Sequence, residues 1–414
     1  MTDDACGRYV INPAAPDVHA DGVRLRRAGP LALVEVEGTV AWAAARHDSL
    51  EAVLTHPDLS REVRHWDAAA RAAARPRSTI GRMAADTSLI NTEGVRHRSL
   101  RSPLARAFSP RRIEALRPGI AEIATGLLDE LTERSAGPAD LRARYAYPLA
   151  RDVIFELLGV PRPLRPAIHE QLETAARTGG APGAVSAARA RLRDLLGEVL
   201  RRRRRAPGED LIGDLIAARG HHGRHRDGSE PLAEDVLDTL ELLLVAGHVT
   251  TVNLVTNAVR ALLTMPGQRE SVCGGHRPWS AVVEECLRWD APTAYLPMRY
   301  AVRDLEIGGV RVHRGQAVLA CYASAGRDPG RYGRRADRFD LAAPPEEHLS
   351  FGRGRHFCLG ASLARLEARV ALAELFRAFP CLSPAERPDR LPPLVSVLGN
   401  SVSALPVLLG ERRR

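Results

Sequence analysis

A mainly α-helical chain with small β-sheets is what this sequence predicts, and three observations lead there. From about Pro103 to Ala218, apolar residues recur at helical spacing, broken only at "SAGPAD" and "GGAPGA". From Leu242 to Val259 there is no Asp, Glu or Arg. After about Asp304 the pattern shortens to strands, "LEIGGVRVHRGQAVLACYA", and the segment "PLVSVLGNSVSALPVLL" is strand-like again. No repeat or linker divides the chain, so residues 1–414 read as a single domain.

The elements follow in order. "ALVEVEGTVAW" alternates apolar and polar residues around Glu37-Gly38, which reads as a hairpin with Val34 and Val36 facing Val40 and Trp42. "RHDSLEAVLTHP" reads as a helix with Asp48 and Glu51 in capping-box spacing. "RRRRR", Arg201 to Arg205, ends a solvated helix before "APGED". "ARGHHGRHRDGSEP" is a polar loop, where His221, His222 and His225 are better explained by solvation than by metal. The uncharged run is long enough to span a bilayer. However, Gly247, His248, Thr250, Thr251, Asn253, Thr256 and Asn257 interrupt it, so a helix through the centre of a large protein fits better.

Composition excludes other classes. Apolar content of 45% suits a large buried core. The net charge is +9, and all 59 basic residues are arginine, as GC-rich codon usage would give. With 4% aromatic residues and no reader motif, neither a nucleic-acid partner nor a membrane is expected. None of the six cysteines has CxxC spacing, which argues against a structural zinc or a disulfide scaffold. The acidic, polar start has no signal-peptide pattern, so a cytoplasmic location is expected.

One stretch carries chemistry. In "HLSFGRGRHFCLG", Cys358 stands among glycines just before "LGASLARLEARVALAELFRAF", whose Leu359, Leu363, Leu366 and Val370 have helical spacing. Free N–H groups at a helix start favour a thiolate. Gly352, Gly354 and Gly360 permit tight turns and close approach of a flat ligand.

"FGRGRHFCLG" resembles the cysteine-ligand loop of cytochromes P450, F-G-x-G-x-H-x-C-x-G, and matches it at Phe351, Gly352, Gly354, His356, Cys358 and Gly360. The resemblance extends over nearly the whole chain. It implies the P450 fold, a triangular prism with haem b between the central helix and the cysteine-loop helix. It implies Cys358 as the iron ligand. "EECLR" matches E-x-x-R, giving Glu285 and Arg288 a structural, bracing role. "RHRSLR" matches H-x-x-x-R, giving His97 and Arg101; with Arg299 and His356 these would hold the haem propionates. "AGHVTT" resembles the oxygen-binding motif, with Ala246, Gly247 and Thr250 beside dioxygen. Thr250 bonding back to the Ala246 carbonyl is compatible with that role. His248 would lie off the haem-facing side. Substrate would touch the loop from about Arg77 to Ile90, and Val245, Ala246, Val249, Ala294, Tyr295, Leu296 and Val397.

The resemblance further implies a haem-thiolate monooxygenase using O2, with NAD(P)H electrons delivered by a ferredoxin reductase and a ferredoxin. Arg353, Arg355 and Arg101 would offer that ferredoxin a positive face. The substrate would be a small secondary metabolite, aromatic, peptide or polyketide in kind. Two positions depart from the pattern. Val249 replaces the acid that helps relay protons. That leaves three alternatives: water, substrate or Asn253 organises the relay; the reaction is oxidative C–C, C–N or C–O coupling; or turnover is slow and poorly coupled. A peroxide-driven enzyme and a non-enzymatic partner protein are further alternatives, the second opposed by Cys358. Ala343 replaces an arginine of the E-x-x-R triad, which Arg338 would then supply.

Overall fold

The computed structural model describes residues 8–413 apart from 15–16, 77, 135–136, 177–181, 207, 209, 221–231 and 345. Arg77 and the loop histidines His221, His222 and His225 lie outside the described residues. Helices dominate: α1 (Val18–Ala28), α2 (His47–Thr55), α3 (Gly94–Ala107), α4 (Arg117–Arg134), α5 (Tyr147–Leu158), α6 (Arg165–Ala176), α7 (Pro182–Arg205), α8 (Leu232–Thr264), α9 (Trp279–Trp289) and α10 (Ala361–Ala378). The strands are β1 (Tyr9–Ile11), β2 (Ala32–Val36), β3 (Thr39–Ala44), β4 (Leu59–Ser60), β5 (Ala139–Asp140), β6 (Tyr295–Ala301), β7 (Leu305–Ile307), β8 (Val310–Val312), β9 (Ala317–Cys321), β10 (Ser383–Pro384) and β11 (Pro406–Leu408). They form a six-stranded sheet in the order β1-β2-β3-β9-β6-β4, a three-stranded sheet β10-β11-β5 and the pair β7-β8.

Helix α8 is the axis of the helical side. It packs on α5, α7, α9 and α10. Val236–Thr264 is long and apolar enough to cross a membrane, but 67% of the qualifying window is buried inside the protein. Its polar residues have partners at that depth. Asn253 donates to Pro292 O (3.0 Å), and Asn257 donates to Asp290 O (3.0 Å) and Asn400 O (2.9 Å). Thr251 and Thr256 donate back to Gly247 O and Val252 O. The two asparagine Nδ2 groups stitch the helix to the loops around it, while both Oδ1 atoms are buried without a partner among the described residues. Asn253 is fully buried, its Nδ2 committed to Pro292 O and its Oδ1 one of that unpartnered pair.

Helix α10 starts after Gly360 and buries Leu363, Leu366, Val370 and Leu375 against α4, α8 and α9. Tyr145, fully buried before α5, donates its hydroxyl to Ala371 O (2.8 Å) and locks that side.

Two local expectations change. The hairpin exists, but Glu37 and Gly38 form a two-residue turn with positive φ (51° and 82°). Val36 therefore pairs with Thr39 and Val34 with Ala41; Val40 and Trp42 belong to the opposite face. A one-residue slip reverses the faces, because side chains alternate along a strand. Helix α2 lacks the Asp48–Glu51 capping box. Arg46 occupies the N-cap, and the Asp328 carboxylate accepts the His47 N–H (2.8 Å). Asp48 turns to the Ser49 N–H, and Glu51 pairs with Arg353.

Candidate active site

The cysteine loop is built by short backbone bonds. Gly352 N–H reaches Leu349 O (2.7 Å), Phe357 N–H reaches Gly354 O (3.0 Å), and Cys358 N–H reaches Phe351 O (2.8 Å). Gly352 and Gly354 have φ of 72° and 75°, a conformation that costs glycine little. Phe351 lies under the Arg365 guanidinium, 4.5 Å from its ring centroid. Cys358 as a residue is exposed, but its thiol is surrounded by protein. Surrounding protein pushes its thiol up, while the Gly360 N–H, Arg101 and Arg365 pull down. The helix start thus favours a thiolate as expected, but here burial outweighs it. Binding to iron deprotonates a ligating thiol outright.

A brace stands behind the loop. Glu285 and Arg288 form two hydrogen bonds (2.6 and 2.8 Å). Arg288 also donates to the carbonyls of Gly326, Ala336, Arg335 and Arg338, and Glu285 accepts the Asp340 N–H (2.8 Å). The position left by Ala343 is thus covered by backbone; the Arg338 carbonyl takes part, not its side chain. Neighbouring Glu284 accepts from Arg365 (2.6 and 2.9 Å) and bonds His348 (3.1 Å). Burial raises the Glu284 carboxyl, yet Arg365 and His348 together bring it down to about 2.

Basic side chains gather beside the loop: Arg61, Arg299 and His97 are buried, and Arg101 and His356 half-buried. His97 and His356, brought from α3 and the loop, have ring centroids 4.5 Å apart. Arg101, one turn after His97, donates to Phe357 O (2.6 Å). Arg299 is buried on β6, opposite Val318, without a carboxylate partner among the described residues. Two residues that sequence reasoning missed complete the group. Arg61 is buried, donates to Ile90 O (2.6 Å) and Pro297 O (3.2 Å), and is pushed down to about 10 by burial and by Arg299. Glu93 meets His356 Nε2 (3.1 Å), the Arg61 N–H (3.2 Å) and Arg355 (3.2 Å). Burial works to raise Glu93, but these partners hold it at about 2. Burial pushes His356 down to about 4 against the Glu93 bond. No motif marks Arg61 or Glu93; only the fold brings them to His356.

This cluster fits an anionic group. His97 Nε2 is buried without a partner, and Arg299 lacks a counter-charge among the described residues, while Glu93 is the one carboxylate bonded to His356 there. Buried cations without anions are costly. A flat cofactor with carboxylate arms would meet both needs.

The open face of α8 supplies the other wall. Val245 is 49% exposed and Ala246 is exposed, while Phe357 on the loop is 42% exposed. Thr250 is half-buried and donates to Ala246 O (2.9 Å). Val249 is also half-buried. Gly247 gives up space on the other side: a Cβ there would come 3.0 Å from Ile154 Cδ1 of α5. The expected substrate positions divide. Leu296 is half-buried, but Ala294, Tyr295 and Val397 pack in a core cluster with Ile80 and Leu25 and line no open surface. Tyr295 is held by its pairing with Cys321 across β6 and β9. Arg353 and Arg355 are not free charges either: Arg353 pairs with Glu51 and Glu347, and Arg355 with Glu93.

Comparison with known proteins agrees with this geometry. Residues 279–402 match the family model "Cytochrome P450". The chain is 32% identical over 411 residues to 2-hydroxy-5-methyl-1-naphthoate 7-hydroxylase of Streptomyces carzinostaticus, covering 98% of each chain. It is 37% identical over 411 residues to nocardicin C N-oxygenase of Nocardia uniformis subsp. tsuyamanensis, covering 96% of each. The solved structure of CYP154C4 from Streptomyces sp. W2061 superposes with a TM-score of 0.91 at 35% identity, covering 100% of this chain and 99% of that one. A prism of helices, a cysteine loop entering α10 and relatives matched along their whole length lead to one conclusion: the chain belongs to the bacterial cytochromes P450, monooxygenases that use haem, O2 and NAD(P)H-derived electrons on small molecules.

Proposed function

We propose that the chain, acting as one cytoplasmic domain, holds haem b in the slot between α8 and the cysteine loop and hydroxylates a small secondary metabolite. The observation that carries this is the exposed Cys358 standing with a buried Arg299 that lacks a carboxylate and a His97 Nε2 that lacks a partner among the described residues. Cys358 would ligate the iron. His97, Arg101, Arg299 and His356 would hold the propionates, with Arg61 and Glu93 behind them; Phe351, Gly352 and Gly360 would shape the loop. When bound, haem supplies dioxygen activation, and thiolate ligation favours O–O cleavage. The residues of this chain do the rest. Ala246 leaves room on α8, and Gly247 lets that helix lie close on α5. The Thr250 hydroxyl bonds to Ala246 O and can accept or pass a proton at Oγ1. Val245 and Val249 offer the substrate an apolar wall.

The substrate class rests on the relatives, whose names describe oxidation of a naphthoate and of nocardicin C. Electrons would come through a ferredoxin reductase and a ferredoxin. Because Arg353 and Arg355 are paired within the chain, the exposed Arg98 and Arg106 of α3 are the better docking charges. Oxidative coupling is the second reading, favoured by the apolar Val249 beside Thr250.

The test is the reduced, carbon-monoxide-bound spectrum of the purified protein. The red-shifted Soret band of a thiolate-ligated haem is expected in the wild type and is expected to vanish in Cys358→Ala. A protein that stays colourless after haem reconstitution overturns the proposal. Product analysis with aromatic, peptide and polyketide candidates then separates hydroxylation from coupling.

A further inference from the structure

One cation is clamped onto the cysteine loop from the helix that follows it. Arg365, in the second turn of α10, gives the Glu284 carboxylate of α9 two hydrogen bonds, Nε–H to Oε1 (2.6 Å) and Nη2–H to Oε2 (2.9 Å). A fork of this kind fixes the plane of the guanidinium. Its Cζ then stands over the Phe351 ring, 4.5 Å from the centroid, within reach of a cation–π contact. The carboxylate is steadied from a further side. The Ser350 N–H donates to His348 Nδ1 (3.2 Å), so the ring carries its proton on Nε2, which meets Glu284 Oε2 at 3.1 Å. From Phe351 the chain of contacts leads to the sulfur's own residue, because the Phe351 carbonyl accepts the Cys358 N–H (2.8 Å). The charge of Arg365 also acts on the thiol, pulling it down against burial alongside the Gly360 N–H and Arg101. The side chains of Glu284 and Arg365 are 27% and 34% exposed, so replacing one of them leaves the other in reach of water.

We propose that Arg365, held on Phe351 by Glu284, is a positioning residue that tunes the reduction potential of the iron bound at Cys358. This rests on the haem-thiolate reading above. One electron from the external donor converts ferric to ferrous iron, and the cysteine stays a thiolate throughout. A positive charge beside the loop withdraws electron density from the sulfur and makes that step easier. The carboxylate of Glu284 offsets the charge in part and keeps the guanidinium where it acts. The two partners of one ion pair thus push the potential in opposite directions, Arg365 up and Glu284 down. Groups around a cysteine ligand are a general lever on haem potential.

The test uses Arg365→Gln, Arg365→Lys and Glu284→Gln as full-length, substrate-free holoproteins. The carbon-monoxide spectrum is recorded first. Its absence from the wild type overturns the haem-thiolate reading itself, whereas its absence from one variant alone reports a loop that fails to hold there. For proteins that keep it, a spectroelectrochemical titration is expected to give a lower potential in Arg365→Gln and a higher one in Glu284→Gln. Arg365→Lys keeps the charge without the fork and is expected to recover most of the loss. The infrared C–O stretch of the carbon-monoxide complex should follow, falling in Arg365→Gln, where the sulfur donates more, and rising in Glu284→Gln. A merely structural pair would disturb both variants alike, since each breaks the same ion pair. Potentials that shift in the same direction, or that stay at the wild-type value, overturn the proposal. Where Arg365→Gln loses the spectrum, Glu284→Gln decides, and a potential at or below the wild type overturns it. Where Glu284→Gln is the one lost, equal potentials in Arg365→Gln and Arg365→Lys do so.

Discussion

Arg288 is the residue on which the cysteine loop leans. Its fork meets Glu285 and the carbonyls of Gly326, Ala336, Arg335 and Arg338, a set no ammonium can match. Arg288→Lys is expected to lower unfolding stability by roughly 3–5 kcal/mol, read as a urea midpoint, because Glu285 is left buried with too few donors. Gly326 is bound into the same brace, since a Cβ there would sit 1.9 Å from Arg288 O. Nearby Glu284 gives a prediction in pH. Its folded value of about 2 lies below the ordinary 4.5, so its stabilisation is full above pH 4.5 and is lost as pH falls towards 2. In Glu284→Gln the urea midpoint should therefore decline less steeply across that window than in the wild type.

Among the elements, what was legible depended on how local the cause was. The long apolar run made α8 visible, and the glycine-rich loop running into helical spacing made α10 and Cys358 visible. The hairpin between β2 and β3 was legible as a hairpin but not in register, because alternation looks the same on either side of a turn until the turn length is known. The start of α2 was misread because its cap comes from Asp328, far along the chain. Asp328 also accepts the Gly330 N–H (3.0 Å). Asp328→Ala is expected to cost about 1–3 kcal/mol for the buried donors it strands, measured by the same urea midpoint. In the site, motif residues could be named from sequence, but Arg61 and Glu93 could not. Each is one arginine or glutamate among many until the fold sets it beside His356. Tyr295 failed for a related reason: strand pairing with Cys321, invisible in the sequence, turns it into the core.

At the scale of the whole molecule, Asp290 joins distant segments. Its carboxylate meets Arg260 of α8 (2.5 Å), His19 of α1 (3.0 Å) and Asn400 near the end of the chain (2.8 Å). Burial alone would raise this carboxyl, but Arg260, His19 and Arg327 hold it far below the usual carboxylate range. Asp290→Ala leaves Arg260 without its partner and is expected to cost about 3–5 kcal/mol in a urea titration. Near-ultraviolet circular dichroism should report a changed setting of neighbouring Trp289, which lies under Arg327, in the same variant.

The stitching of α8 to Pro292 and Asn400 through Asn253 and Asn257 reaches into protein engineering. A change in the loops at Pro292 or Asn400 is expected to reach the helix that carries Thr250 through those amides. Redesign of those two loops would therefore act on oxygen chemistry without touching a single residue of the pocket.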